Sequence, residues 1–287
     1  MNVLVTGAAG VLGKAVTALL EREPDIQLRL TDKAPLETRH PFQAANLTHV
    51  EDVKRLCEGV DTVLHIAAVH PWKPYTVADY VHCNIEATYT LLQAAISVGV
   101  RRVIYTSSVA AMGMGNSESQ PLPWDEQKPP EFAPGGIYSF SKHVGEEACR
   151  RFARQGKFTY VILRPGMFIP RPEDDPRFGL GLLSFTAHVT DVAMAHLLAF
   201  RAKSSNEAFV VTSRTLFTRE DGPALLKDAD SVILRRYPMA RRLVEQGVTL
   251  PTSIGCTYDI SKAQRMLGYE PRLTFEYWLK RRFGDES

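Results

Sequence analysis

The sequence predicts an α/β protein built on a doubly wound parallel sheet, with a small, mostly helical subdomain towards the C-terminus. Three observations predict it. Short apolar runs alternate with amphipathic stretches for the first two hundred residues, a glycine-rich turn directly follows the first run, and from about residue 214 the pattern turns mostly helical.

The runs, in order, are "NVLVTG", "IQLRLTD", "DTVLHIAA", "RRVIYTSS", "FTYVILRP" and "AFVVT". Each is apolar on both faces, as a strand must be when helices cover the sheet on both sides. Between them the 3.6-residue period predicts helices over 11–22, 50–58, 76–98, 137–155 and 189–202. Two stretches break the rhythm: 116–136, with "PLPWDEQKPPEFAPGG", and 165–181, "PGMFIPRPEDDPRFGLG". Proline and glycine at that density predict loops, and long loops after strands lie at the carboxyl edge of an open sheet, where ligands bind. Near the end, "DISKAQRMLGYEPRLTFEYWLKRRF" reads as two short helices around Gly268 and Pro271. The expected division is a dinucleotide-binding unit of 1–165 and 188–213 and a substrate-binding subdomain of 166–187 and 214–287.

The totals exclude several classes. The 287 residues are 45% hydrophobic and 23% charged, an ordinary globular composition, and the net charge is +2. Scattered Arg-Arg doublets give no basic surface for nucleic acid or an anionic membrane. No stretch approaches the ~18 apolar residues of a membrane span, and the apolar N-terminus carries Lys14 and no basic leader. Cys57, Cys83, Cys149 and Cys256 lie too far apart for a C-x-x-C motif and predict reduced thiols in a cytoplasmic protein. Neither they nor the histidines have metal-ligand spacing.

The glycine turn, "VLVTGAAGVLGKAV", sets Gly7, Gly10 and Gly13 at the junction of the first strand and first helix. The first permits the turn, the second lets a pyrophosphate approach the backbone, and the third allows close packing; the N–H groups around Val11 and Leu12 then face the phosphates. The second strand ends in Asp32, nineteen residues after Gly13. Its carboxylate can hold the adenine-ribose hydroxyls and repel a 2′-phosphate, which points to NAD in a Rossmann arrangement. The lesser alternative is a strand-end aspartate that only caps the turn, and Lys33 beside it keeps NADP open.

"YSFSK" places Tyr138 and Lys142 one helical turn apart, on one face. An ammonium held there favours phenolate over phenol and brings a tyrosine that titrates near ~10 toward acid/base use. Ser107 and Ser108 close the preceding strand at the same sheet edge. Of the histidines, His65, His188 and His196 read as structural, the last two on the apolar side of a helix, whereas His70 and Trp72 follow the third strand, where substrate would pass.

In order and spacing, "TGAAGVLG", Asp32, "HIAA", Asn84 in "NIEATYTLLQAA", "YTSSVAAMG", "YSFSK", "RPGMFIP", "HVTDVAMAHLLA" and "LGYEP" resemble the extended short-chain dehydrogenase/reductases, the NAD-dependent epimerase/dehydratase family. The resemblance implies Tyr138 as acid/base, Lys142 gripping the nicotinamide ribose and lowering the tyrosine pKa, and Ser108 on the same substrate oxygen. It implies Asn46, Leu47, Ala67, Ala68, Asn84, Ser107 and Pro165 as further cofactor positions, Asn84 by steadying the backbone beside the active site, and His70, Met167 and Arg171 beside the substrate. Dehydratase members carry Asp-Glu where this chain has Val109 and Ala110, so dehydration is not expected. That leaves a dehydrogenase acting on a small polar substrate of sugar or sugar-acid type, a sugar-nucleotide 4-epimerase with tightly held NAD, or a non-catalytic dinucleotide sensor. Only 24 positions separate Arg164 from His188, short for holding a nucleotide diphosphate, which favours the dehydrogenase. Arg171, Arg177 or Arg214 could clamp a carboxylate or phosphate. The family resemblance also implies a homodimer through the helices at 76–98 and 137–155.

Overall fold

A computed structural model describes residues 1–113, 120–133, 135–156, 158–168 and 171–284. Residues 116–119 and 134 of the first predicted loop, 169–170 of the second, and the last three of the subdomain lie outside the described residues. Seven parallel strands form one sheet in the order β3-β2-β1-β4-β5-β6-β7. They are β1 (Asn2–Thr6), β2 (Gln27–Asp32), β3 (Phe42–Ala44), β4 (Thr62–His65), β5 (Arg102–Thr106), β6 (Thr159–Pro165) and β7 (Glu207–Val211). All six predicted strands are present. The added β3 pairs with β2 at one edge and is only three residues long, too short for a periodic pattern.

Alternation along each strand sorts its side chains into two cores. Val3, Val5, Leu28, Leu30, Ile104 and Leu163 face α1 (Val11–Leu20) and α7 (Val189–Arg201). Leu4, Val63, Val103, Tyr105 and Ile162 face α2 (Val50–Cys57), α4 (Ala87–Ser97) and α5 (Ile137–Ala153). The helix expected over 76–98 is α3 (Val77–Tyr80) and α4 joined by a π-helical turn, Val81–Glu86, which carries Asn84.

The proline-rich stretch 165–181 is not entirely loop. It contains α6 (Pro176–Gly181), because proline is tolerated in a helix's first turn and the Asp175 carboxylate accepts the Arg177 N–H as its cap. The C-terminal region is helical: α8 (Gly222–Leu225), α9 (Ala229–Arg236), α10 (Arg241–Glu245), α11 (Ser261–Leu267) and α12 (Phe275–Phe283). Its Leu225, Ile233, Tyr269 and Phe275 join the apolar cluster of the sheet face that α1 and α7 cover. Among the described residues no helix is long and apolar enough to cross a membrane, and no group of three acidic, His or Cys side chains could hold a metal.

Strand order reverses between β1 and β4, whose paired carboxyl ends are Thr6 and His65. The two chains leaving a reversal point diverge to opposite sides and leave a crevice, the place for a ligand in an open α/β sheet.

Candidate active site

A cavity of about 770 Å³ fills that crevice, within the range of small-molecule sites. One end is built from the glycine turn. Gly7 has φ +72, and a Cβ on it would lie 2.7 Å from the Ala67 nitrogen; one on Gly13 would lie 2.1 Å from the Gly7 oxygen. Neither position accepts a side chain. Helix α1 then starts at Gly10 with no side-chain cap and no acidic residue in its first turn. Its leading N–H groups and positive dipole end suit an anion. A dinucleotide therefore fits the residues present: Gly10, Val11, Leu12 and Gly13 line the cavity at the start of α1, and Asp32, Asn46, Leu47, Ala67 and Ala68 line it as well.

The Asp32 carboxylate already accepts hydrogen bonds from the Ala9 nitrogen at 2.9 Å and the Ala34 nitrogen at 3.0 Å. It thus caps the turn and lines the cavity together, since a carboxylate has further lone pairs for a ribose. Asn84 steadies the backbone beside the site, as the resemblance implies. Its amide accepts from the Val69 nitrogen (2.8 Å) and donates to the Val69 oxygen (3.1 Å) and the Ser141 hydroxyl (3.0 Å), so it ties the β4 loop to α5 and does not reach the cavity wall. The Ser141 hydroxyl in turn donates to the Tyr138 carbonyl.

Ser107, Ser108, Tyr138, Lys142, Pro165, Met167 and His70 all line the other end. Ser108 caps the short 3-10 turn Val109–Met112 and stands beside Tyr138. Burial pushes the Tyr138 phenol up to about 12, the nearby Ser108 hydroxyl opposes that rise, and Tyr80 adds to it. This corrects the expectation of a phenol already lowered by its lysine. Lys142 is buried, but its Nζ donates to the Thr106 carbonyl at 2.6 Å and lies 4.7 Å over the Tyr105 ring. Burial brings Lys142 down to about 8, against the charge of Glu146.

The wall around Tyr138 is aromatic. His70 packs edge-on against Tyr138 at 4.7 Å and Trp72 at 4.4 Å, Trp72 meets Phe168 at 5.9 Å, and Phe185 and Tyr258 complete it. Burial first, then the Lys142 charge, pulls His70 down to about 4, so it is neutral here. Phe168 sits inside a motif already noted, but Phe185 and Tyr258 carry no local signal; Tyr258 arrives from beyond β7 through a backbone bridge with Trp124. Arg171, Arg177 and Arg214 are exposed and off the described wall, Arg177 being held by Asp175. Lys73 is the exposed cation beside the aromatic wall.

His65 is buried between the hydroxyls of Thr6 and Thr88 and pulled down to about 3, and His196 between Thr106 and the Val192 carbonyl, down to about 4; in both, burial is the main cause. His188 is not on an apolar helix face. It is the N-cap of α7, accepting the Thr190 N–H.

A parallel sheet with a glycine turn and a carboxylate at its reversal point defines a Rossmann-type dinucleotide-binding fold. The chain belongs to the NAD-dependent epimerase/dehydratase family, whose model matches residues 3–176, and the cofactor of that family is NAD. It is 35% identical over 178 residues to a uronate dehydrogenase of Pseudomonas syringae pathovar tomato, covering 60% of this chain and 62% of that protein. It is 30% identical over 152 residues to a 3β-hydroxysteroid dehydrogenase/Δ5→4-isomerase of monkeypox virus, covering 50% of this chain and 44% of that one. The chain thus matches less than two thirds of the length of either relative. Among solved structures, a short-chain dehydrogenase/reductase superfamily protein of Agrobacterium tumefaciens with bound NAD superposes with a TM-score of 0.73 at 21% identity, over 98% of this chain and 95% of that one. That likeness concerns the fold.

Proposed function

We propose that the protein is an oxidoreductase that moves a hydride between NAD and a secondary alcohol or ketone of a small polar substrate of sugar or sugar-acid type. The observation that carries this reading is the neighbouring pair of Ser108 and Tyr138 on the wall of the cavity that the glycine turn also lines. A substrate oxygen placed against both hydroxyls is held by Ser108 and exchanges its proton with Tyr138. With its phenol pushed up to about 12, Tyr138 carries its proton at neutral pH and is ready as the acid for ketone reduction. When bound, NAD supplies the hydride acceptor and a positive ring that favours the phenolate needed for alcohol oxidation. Lys142, one turn along α5, is the cation placed to hold the nicotinamide ribose. His70, Trp72 and Phe168 shape the substrate end, and Lys73 rather than any of the three arginines is the cation available to a carboxylate.

Among its described residues the segment between β6 and α7 holds only the short α6, which supports a small substrate over a nucleotide sugar. Four free cysteines support a reducing, cytoplasmic location. Exposed Val81, Tyr89 and Phe140 on the π turn, α4 and α5 support a homodimer through those helices.

The test is a panel of sugars, uronic acids, hydroxysteroids and nucleotide sugars incubated with protein and NAD, followed by the absorbance of reduced nicotinamide. Net NADH from a sugar or uronic acid is the expected result. An isomerised nucleotide sugar without net NADH would replace this reading by the 4-epimerase, and no turnover of any member would leave a dinucleotide-binding protein without catalysis.

A further inference from the structure

Behind the Ser108–Tyr138 pair lies a cluster of charged side chains with no direct part in the chemistry above. Glu146 stands one helical turn past Lys142 on α5 and is completely buried. Its Oε1 accepts from the Ser107 hydroxyl at 2.6 Å and Arg164 Nε at 2.8 Å; its Oε2 accepts from Arg164 Nη2 at 2.7 Å and Arg150 Nη2 at 2.9 Å. Arg164 and Ser107 are themselves buried, at 7% and 3% exposure. Burial alone would raise the Glu146 carboxyl, but Arg164, Ser107 and Arg150 hold it below the ordinary carboxylate range.

A buried ion pair is weak evidence of a stability role, because apolar residues of the same shape often serve as well. What distinguishes this one is where its members sit. Glu146 is on the helix that carries Tyr138 and Lys142. Ser107 precedes Ser108 in the chain, and Arg164 precedes Pro165, Gly166 and Met167 of the cavity wall. The carboxylate therefore joins three elements that each deliver part of the site, and two guanidinium groups fix its orientation. A second tie runs in parallel, from the Ser107 nitrogen to the Leu163 carbonyl at 2.7 Å.

We infer that Glu146, clamped by Arg164, is a positioning residue: through the Ser107 hydroxyl it sets the end of β5 so that Ser108 meets Tyr138 and the substrate oxygen. This rests on the assignment of Ser108 and Tyr138 to the substrate oxygen. Misplacement of a reacting group by an ångström costs about 10²-fold in rate, and the loss here should fall on kcat.

Ser107→Ala removes the link and leaves the Glu146–Arg164 pair intact, whereas Glu146→Gln also leaves Arg164 short of its counter-charge. With a substrate that the wild-type protein turns over, Ser107→Ala should lower kcat roughly tenfold and Glu146→Gln roughly 10- to 100-fold, with substrate KM and the NAD dissociation constant within about threefold. Amide hydrogen exchange of the NAD-bound proteins should show the segment 107–113 exchanging faster in both variants and the strands exchanging as in the wild type. Wild-type kcat in Ser107→Ala, unchanged exchange at 107–113, or a loss that tracks a fall in Tm and NAD affinity would overturn the inference. The exchange measurement needs no substrate. Failure of the wild type to turn over any substrate would therefore count against the assigned activity, while exchange still decides the role of Glu146.

Discussion

In the proposed reaction two hydroxyls carry the chemistry, and they do different work. Ser108 is fixed by the backbone it caps, so it can only offer a hydrogen bond; Tyr138, enclosed and with its phenol pushed up to about 12, is the group with a proton to move. Tyr138→Phe should accordingly lower kcat by roughly 10³-fold or more while the NAD dissociation constant stays within about threefold; steady-state assays and a fluorescence titration measure the two. Substantial remaining turnover would remove Tyr138 as the proton carrier. Asp32 makes the complementary prediction for the cofactor. Asp32→Ala should weaken NAD roughly 10- to 100-fold, from the ~1.5–3 kcal/mol of hydrogen bonds to a charged group, and narrow the preference over NADP. Equal weakening of both dinucleotides would mean that Asp32 serves only the Ala9 and Ala34 turn. That Tyr138, Lys142, Ser108 and Asp32 would line one cavity was legible because each sits at a fixed offset from a strand or helix end. The rotamer of Lys142 was not. One-turn spacing puts it on the same face as Tyr138, but the Thr106 carbonyl that holds its Nζ lies thirty-six residues away in sequence.

At the scale of elements, the strand–turn–helix unit of β1 and α1 was read in full, since its constraint is local: a positive φ at Gly7 and a close approach at Gly13. Gly13→Ala forces a backbone shift, because the new Cβ would meet the Gly7 oxygen at 2.1 Å and the Ala8 Cα at 2.8 Å. It should abolish measurable NAD binding and lower stability by roughly 1–3 kcal/mol, seen by titration and urea unfolding; wild-type affinity would mean that the turn does not bind the phosphates. Elsewhere the limits of local reading show. Edge strand β3 has three residues, and α6 was hidden because proline-rich sequence precedes it and a proline opens its first turn. The π turn at Val81–Glu86 lies within what periodicity reads as one helix. The Glu146 cluster joins residues 107, 146, 150 and 164, so no window of sequence contains it.

Across the whole molecule, burying neutral histidines links stability to acid. His65 and His196 are pulled down to about 3 and about 4, against roughly 6.5 in an unfolded chain. Below that value the unfolded state binds protons that the folded state refuses, so stability is complete above it and falls as pH drops. Between pH 6 and 5 the unfolding free energy should fall by roughly 2–3 kcal/mol for the two together, and His196→Asn should reduce that slope by about half. Urea titrations at each pH measure it, and a flat profile would mean that these sites admit a proton in the folded state. The sheet was legible for the same reason that it is stable: strands covered on both faces must be apolar on both, and the sequence runs show it. The aromatic wall was not, because Phe185 and Tyr258 come from two separate connections that only the fold brings beside Trp72 and Phe168.

The most direct measurement is a crystal structure of the protein with NAD. The account predicts the pyrophosphate at the N-terminus of α1, the nicotinamide ribose against Lys142, and the Ser108 and Tyr138 hydroxyls both within ~2.6–3.2 Å of one point beside the reactive nicotinamide carbon. A dinucleotide bound away from the glycine turn, or the two hydroxyls turned to separate regions in that complex, would contradict it.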